Sequence, residues 1–307
     1  MPASPSQAHS IDSRHGYAMI LMLLGSVAIS FGGVVQRHIE EADSWQTNVY
    51  RSLGMLLATV LILGYQYRGR ALTVLAGVGG FGILAALLLT VAGIAFLQAL
   101  TNTTVANALF ILGAIPFFAA LFARVFLGER LRRTTVLTMI GAACGLSIML
   151  VQGMSVGFGF GIAMSLVTAI SFALYAVIVR YKRQTEMLPV MLFSSLLIIV
   201  ISLAVKSGDV SIPLRDIALA LFWGGCLSGF VNWTFIVAAR HLAAAEVTLI
   251  MLLEFSLGPL WVWIFIGETP AVATLVGGGL ILVSVALRAG VEIVDKPRRE
   301  QTPQSPV

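Results

Sequence analysis

Two stretches of this 307-residue chain read alike: GYAMILMLLGSVAISF at 16–31 and GFGFGIAMSLVTAISF at 157–172, set 141 residues apart. AISF stands at 28–31 and again at 169–172, and Gly16-Tyr17 is answered by Gly157-Phe158 at the same offset. Further along the offset is 139: Phe96 pairs with Phe235, Ala99 with Ala238, Ala106 with Ala245, and Gly128-Glu129 with Gly267-Glu268. A short loop deletion accounts for the change. Such self-similarity comes before any motif, because repeat architecture constrains the whole fold.

Both stretches are apolar, and so is most of the chain. Hydrophobic residues make up 58% and charged residues 11%, with a mean hydropathy of +0.96. A soluble domain carries about a quarter charged residues, so this chain has too little polar surface to cover itself in water and its solvent must be lipid. The leader, residues 1–16, and the tail, residues 290–307, are rich in Ser, Pro, Gln and charge and are expected to be disordered ends. A cleavable signal peptide is the rival reading of the N-terminus. The apolar stretch after Arg14 runs from Tyr17 to about Val35, longer than an h-region, with no A-x-A site behind it. It is read as the first membrane helix.

A helix needs about 20 apolar residues to cross the hydrocarbon. Ten such spans are expected: 17–36, 45–64, 74–99, 103–127, 134–151, 158–179, 189–206, 215–239, 244–266 and 271–289. The weakest break is LTNTT at 100–104. Cationic residues tend to stay on the cytoplasmic side. With the N-terminus inside, fifteen Lys and Arg fall on that side and three, Arg37, Lys206 and Arg215, on the other, while Arg51 sits within a span. The expectation is an all-α transmembrane fold with both termini cytoplasmic. Five helices (17–151) are followed by five more (158–289). An odd number per unit makes the second enter from the opposite side, an inverted repeat of the kind found in secondary transporters.

PFFAALFARVFLGERL at 116–131 closes the fourth span, LEFSLGPLWVWIFIGE at 253–268 closes the ninth, and YRSLGMLLA at 50–58 carries Arg51. These segments resemble the EamA family of the drug/metabolite transporter superfamily, whose members carry two five-helix repeats. The resemblance covers residues 16–289. Phe255 stands where the family often has Pro, and Pro259 follows four residues later. Ten-helix members are mostly exporters of amino acids and other metabolites, and the chain is similar to the YddG-type amino-acid exporters. The resemblance implies a small-molecule substrate, with nucleosides or nucleotide sugars as alternative solutes.

Gly77, Gly79 and Gly82 spell G-x-G-x-x-G, but no strand precedes them, and close helix packing explains them better than a nucleotide. Gly141/Gly145 and Gly225/Gly229 are small-xxx-small pairs of the same kind. His9, His15, His38 and His241 have no metal-ligand spacing, and the cysteines, Cys144 and Cys226, lie in apolar segments. Neither a cofactor nor a metal is expected. The basic residues form no stripe, so nucleic acid is not a partner; membrane lipid is, and the oligomeric state is left unassigned.

Polar side chains deep in spans are the informative ones, because they rarely face lipid. Gln98, Asn107, Asn232 and Glu254 qualify as substrate contacts, with Tyr175 and Trp233 as aromatic walls beside the matched Phe31 and Phe172. Interhelical bonding and packing are the bland readings of the same residues. Asn107 and Glu246 fall at equivalent repeat positions, and Glu246 and Glu254 are the coupling candidates. Glu254 needs an offsetting partner: Arg51, a substrate ammonium or a coupling proton. Arg51, Gly128, Glu129, Gly267 and Glu268 are assigned structural roles, the carboxylates satisfying backbone N–H groups or a helix N-terminus. Trp45, Tyr50, Trp261 and Trp263 read as interfacial anchors. The leading function is an alternating-access exporter. A continuous pore is the first alternative and an intramembrane enzyme the second, disfavoured because no histidine lies deep in a span to serve as a base.

Overall fold

The computed structural model describes residues 5–128, 133–155, 158–182, 184–242 and 244–300, and no strand occurs among them. The chain runs as α1 (Pro5–Ser30), α2 (Gly32–Arg37), α3 (Ser44–Tyr67), α4 (Ala71–Ala76), α5 (Gly79–Asn102), α6 (Val105–Leu112), α7 (Ile115–Leu127) and α8 (Arg133–Ser155). The second half holds α9 (Gly159–Tyr181), α10 (Leu188–Val205), α11 (Leu214–Phe222), a π-helical segment (Trp223–Gly229), α12 (Phe230–His241), α13 (Ala244–Ile266) and α14 (Val272–Glu300). The first helix begins at Pro5 and the last continues to Glu300, so much of the leader and tail expected to be disordered is helix here.

Seven helical stretches among the described residues are long and apolar enough to cross a bilayer: His15–Arg37, Ser44–Arg70, Gly79–Asn102, Val105–Leu127, Gly159–Tyr181, Leu188–Val205 and Leu214–His241. Three shorter apolar stretches, Val136–Gln152, Ile250–Ile266 and Val272–Leu287, fall on the fifth, ninth and tenth expected spans. Large apolar side chains such as Leu61, Leu137 and Val151 stand exposed on the outside, as a lipid solvent allows.

Local chemistry sets the ends. Asp43 accepts from the N–H groups of Trp45 and Gln46 while Gln46 Oε1 accepts from Asp43 N–H, a capping box that starts α3. The chain breaks at LTNTT: Thr103 is extended and the Thr104 hydroxyl caps α6 by accepting from Asn107 N–H. Gly128 and Gly267, the matched glycines, both take left-handed φ, at +68° and +78°, as glycine does where a helix must stop.

The main helix packings fall into pairs that exchanging the halves would leave in place. α5 on α9 is answered by α12 on α1; α3 on the π-helical segment and α11 by α10 on α5; α7 on α9 by α2 and α1 on α13. α3 on α10 and α8 on α14 each join equivalent helices. Glycine makes the closest approaches possible. A Cβ on Gly145 would lie 2.4 Å from the Gly277 carbonyl, one on Gly141 would meet Ser284, and one on Gly229 would meet Ala58.

The tightest approach is at Gly224, where a Cβ would stand 1.7 Å from the carbonyl oxygen of Arg51. Gly224→Ala therefore forces two backbones apart, whereas Gly64 has nothing within 4 Å of its Cβ position. Gly224→Ala is expected to cost at least about 1–3 kcal/mol of stability, and Gly64→Ala almost nothing. Thermal unfolding of the purified variants in detergent measures both; equal melting temperatures would contradict the contact.

Candidate functional site

A cavity of about 120 Å³ opens between α1, α3, α5, α9, α12 and α13, with the α6–α7 break and the π-helical segment completing its wall. Its lining is mostly apolar. The exceptions are Arg51, Thr168, Ser228, Asn232 and Glu254. A few polar groups in an apolar concavity are the usual composition of a small-molecule site.

Arg51 is held by one stretch of the opposite half. The Trp223 ring lies under its guanidinium at 4.7 Å, the Phe96 ring stands at 5.7 Å, and Arg51 Nη2 donates to Ser228 Oγ at 3.2 Å. Trp223, Gly224 and Ser228 all belong to the π-helical segment, whose wider turn presents ring, close backbone and hydroxyl on one side. Cation–π contact offsets part of the cost of burying the charge, about 0.5–2 kcal/mol. Among the described residues the buried Nε–H has no acceptor.

Glu254, near the middle of α13, lines the same cavity. An ion pair with Arg51 was one expected offset for its charge. The two share the wall, yet no ion pair joins them, and the Glu254 carboxylate has no hydrogen-bond partner among the described residues. Asn232 also lines the cavity; its Nδ2 donates to the Ser228 carbonyl at 2.9 Å, which leaves Oδ1 open to a ligand.

The remaining expected contacts lie elsewhere. Asn107 is spent between helices: Nδ2 donates to Thr103 Oγ1 at 3.1 Å and Oδ1 accepts from Thr274 Oγ1 at 2.6 Å, tying α6 to α14. Gln98 is not on the cavity wall; its carbonyl accepts from Asn102 Nδ2. Tyr175 is fully buried behind the wall, packed on Phe172 and Phe235 at 5.4 and 6.2 Å. Trp233 packs on Phe230 rather than on the cavity. Of the matched phenylalanines, Phe172 lines the cavity, while Phe31 stacks on Trp261 at 5.1 Å, at the break between α1 and α2. Trp261 Nε1 donates to Ser30 Oγ, so this tryptophan joins helices rather than only anchoring at an interface. Glu129 and the side chain of Glu246 lie outside the described residues. Sequence reading passed over Phe96, Thr168 and Ser228 as site residues; hydroxyls and rings in apolar spans carry no signal of their own.

Polar ties cross between the halves at both ends of the bundle. At one end Arg37 Nε donates to Glu268 at 2.7 Å, and its other nitrogens donate to the carbonyls of Leu100 and Thr103. Glu268 also accepts from Val105 N–H at 2.7 Å, capping α6 of the other half. Nearby, Lys206 pairs with Asp43 at 2.8 Å and Arg215 with Glu40 at 3.1 Å. Burial pushes the Asp43 carboxyl up, but Lys206 and two backbone N–H groups outweigh it and hold it below the usual range. At the other end Glu186 pairs with Arg240 at 3.0 Å and accepts from the Tyr67 hydroxyl. Among the described residues no cluster of His, Cys, Asp and Glu has the makings of a metal site.

Residues 16–151 match the model of the EamA-like transporter family. The chain is 27% identical over 179 residues to a protein of Streptantibioticus cattleyicolor named "Probable terminal-alkyne amino-acid exporter", an alignment covering 56% of this chain and 60% of that relative's length. A solved crystal structure superposes with a TM-score of 0.67 over 90% of this chain and 98% of its own, at 16% identity, which is a likeness of fold. The seven membrane-length apolar helices among the described residues, together with the match of residues 16–151 to a transporter family's model, make the chain a multi-pass membrane protein.

Arg37→Ala would strand the Glu268 carboxylate and two backbone carbonyls at a half-buried site. The expected loss is about 1–3 kcal/mol, against less than about 0.5 for Arg215→Ala, whose pair with Glu40 is exposed. Equilibrium denaturation in mixed micelles compares the two, and a smaller effect at Arg37 than at Arg215 would contradict the assignment.

Proposed function

We propose that this chain is a secondary exporter of small metabolites, amino acids foremost, across the plasma (inner) membrane, working by alternating access around the central cavity. The observation that carries the reading is the cavity itself: between the halves, an apolar concavity presents a half-buried arginine and a half-buried glutamate that the protein does not pair with each other. Intramembrane ionisable groups facing a cavity mark solute and ion pathways. The alkyne amino-acid exporter's name supports an amino-acid solute. Two inverted five-helix repeats with both termini cytoplasmic complete the proposal, supported by the packing pairs that an exchange of halves preserves and by the lopsided Lys and Arg distribution. Glu254 and Glu246 are the proposed coupling groups.

Proteoliposomes loaded with amino acids, nucleosides or sugars test the function. A carrier shows uptake accelerated by solute on the far side, and a pore does not. Overexpression in cells is expected to raise resistance to a toxic amino-acid analogue; greater sensitivity with faster accumulation would reverse the direction. Glu254→Gln keeps the side chain's shape and is expected to insert normally while cutting efflux at least about tenfold, since it removes a charge from the site. Efflux equal to that of the parent at matched expression would remove Glu254 from the mechanism.

Topology has its own test. In a protein freed of Cys144 and Cys226, a cysteine placed at Ser155 is expected to react with an impermeant reagent from outside the cell. Labelling only from the cytoplasmic side would sink the inverted repeat and the placement of the termini together.

A further inference from the structure

We propose that the cavity takes its solute as a zwitterion, the Arg51 guanidinium receiving the carboxylate and Glu254 with Asn232 receiving the ammonium, so that the transported class is free α-amino acids with an apolar side chain. This rests on the exporter reading above and names the recognition chemistry of the same site.

Arg51 presents five N–H donors in a planar fork. Among the described residues only Nη2 is used, on Ser228, and the buried Nε has no acceptor. Its charge meets rings, not acids: Trp223 and Phe96 fix the plane of the guanidinium without neutralising it. A fixed guanidinium plane with donors to spare is the geometry that takes a carboxylate through two parallel hydrogen bonds. Structural arginines of this protein look different. Arg37 spends three nitrogens on Glu268 and two carbonyls.

Glu254 supplies the opposite charge from another helix, and Asn232 Oδ1 adds a neutral acceptor on the same wall. A ligand with one charge would satisfy one of these groups and leave the other buried and uncompensated, which is the costly arrangement. A ligand carrying both charges on one carbon satisfies both. The rest of the wall is apolar, with Phe96, Phe172 and Phe235 facing the room left for a side chain. The whole cavity, about 120 Å³, is smaller than the pocket of about 150 Å³ that holds a benzene ring, so it suits an amino acid with a small aliphatic side chain.

The test uses the full chain purified in detergent. L-alanine and L-valine are each compared with their amides, which lose the carboxylate, and with their deaminated acids, which lose the ammonium. Ligand-induced thermal stabilisation at graded concentrations gives the affinities. Both truncated series are expected to bind at least about 30-fold more weakly than the free amino acids, the size of loss seen when one partner of a desolvated charge pair is removed. In Arg51→Gln the acid-to-amide preference should collapse to near unity, with part of it restored in Arg51→Lys. In Glu254→Gln the amino-to-deaminated preference should collapse instead. The series on the parent protein stands even if a variant fails to fold. Amides or deaminated acids binding within about threefold of the free amino acid overturn the zwitterion assignment and leave the exporter reading intact. Binding of a nucleoside or sugar, with no amino acid bound, overturns both.

Discussion

The carbonyl oxygen of Arg51 rests against Gly224, and the centre of the protein is arranged around that contact. Any side chain at 224 would hold α3 away from the π-helical segment. With none there, the segment comes close enough for Trp223 to lie under the guanidinium and for Ser228 to accept from it. One short stretch of irregular helix in the second half thereby orients the one cation that sits deep in the first. Gly54, on α3, continues the same seam, a Cβ there falling 2.4 Å from the Leu221 carbonyl. Lipid supplies no alternative donors or acceptors, so the orientation of Arg51 is fixed by these few atoms.

That arrangement also explains how two opposite charges share a small cavity without collapsing onto each other. Arg51 belongs to α3 and is pinned from the π-helical segment, while Glu254 rides on α13, which packs on α1, α2, α6 and α14. Their positions are set by different packings, and neither helix is free to close the gap. A direct ion pair would have been self-sufficient and would have competed with any charged ligand. Holding the charges apart costs stability, and such strain between local and global preference is expected where function overrides packing.

Much of this was legible before any coordinates, and the boundary between the legible and the illegible has a physical origin. Apolar runs are local patterns, so the helices could be read from spacing alone. Asn232 and Glu254 stood out because a polar group in a span must face inward. Inward, however, does not mean toward the cavity. Asn107 is more deeply buried than either and is consumed by Thr103 and Thr274, because an amide needs partners wherever it is buried. Arg51 was visible as an oddity, but its role depends on Trp223 and Ser228, more than 170 residues away, and on a π-helical turn that leaves no periodic trace. The Arg37–Glu268 tie spans 231 residues and is invisible for the same reason.

The distribution of satisfied and unsatisfied charge bears on motion. Ties between the halves sit at the two ends, Arg37 with Glu268 at one and Tyr67 with Glu186, itself paired to Arg240, at the other, and all are partly exposed. Breaking a pair that water reaches returns its charges to solvent and costs little. Breaking a pair in the lipid-embedded centre would leave bare charges and cost several kcal/mol. In the proposed alternating-access cycle one half would rock on the other and open one end at a time, and ties at the ends with an unpaired centre would keep both openings inexpensive. Under that proposal, polar closure at the rims and unpaired groups in the middle are two sides of one requirement: a carrier must hold itself shut weakly and its solute specifically.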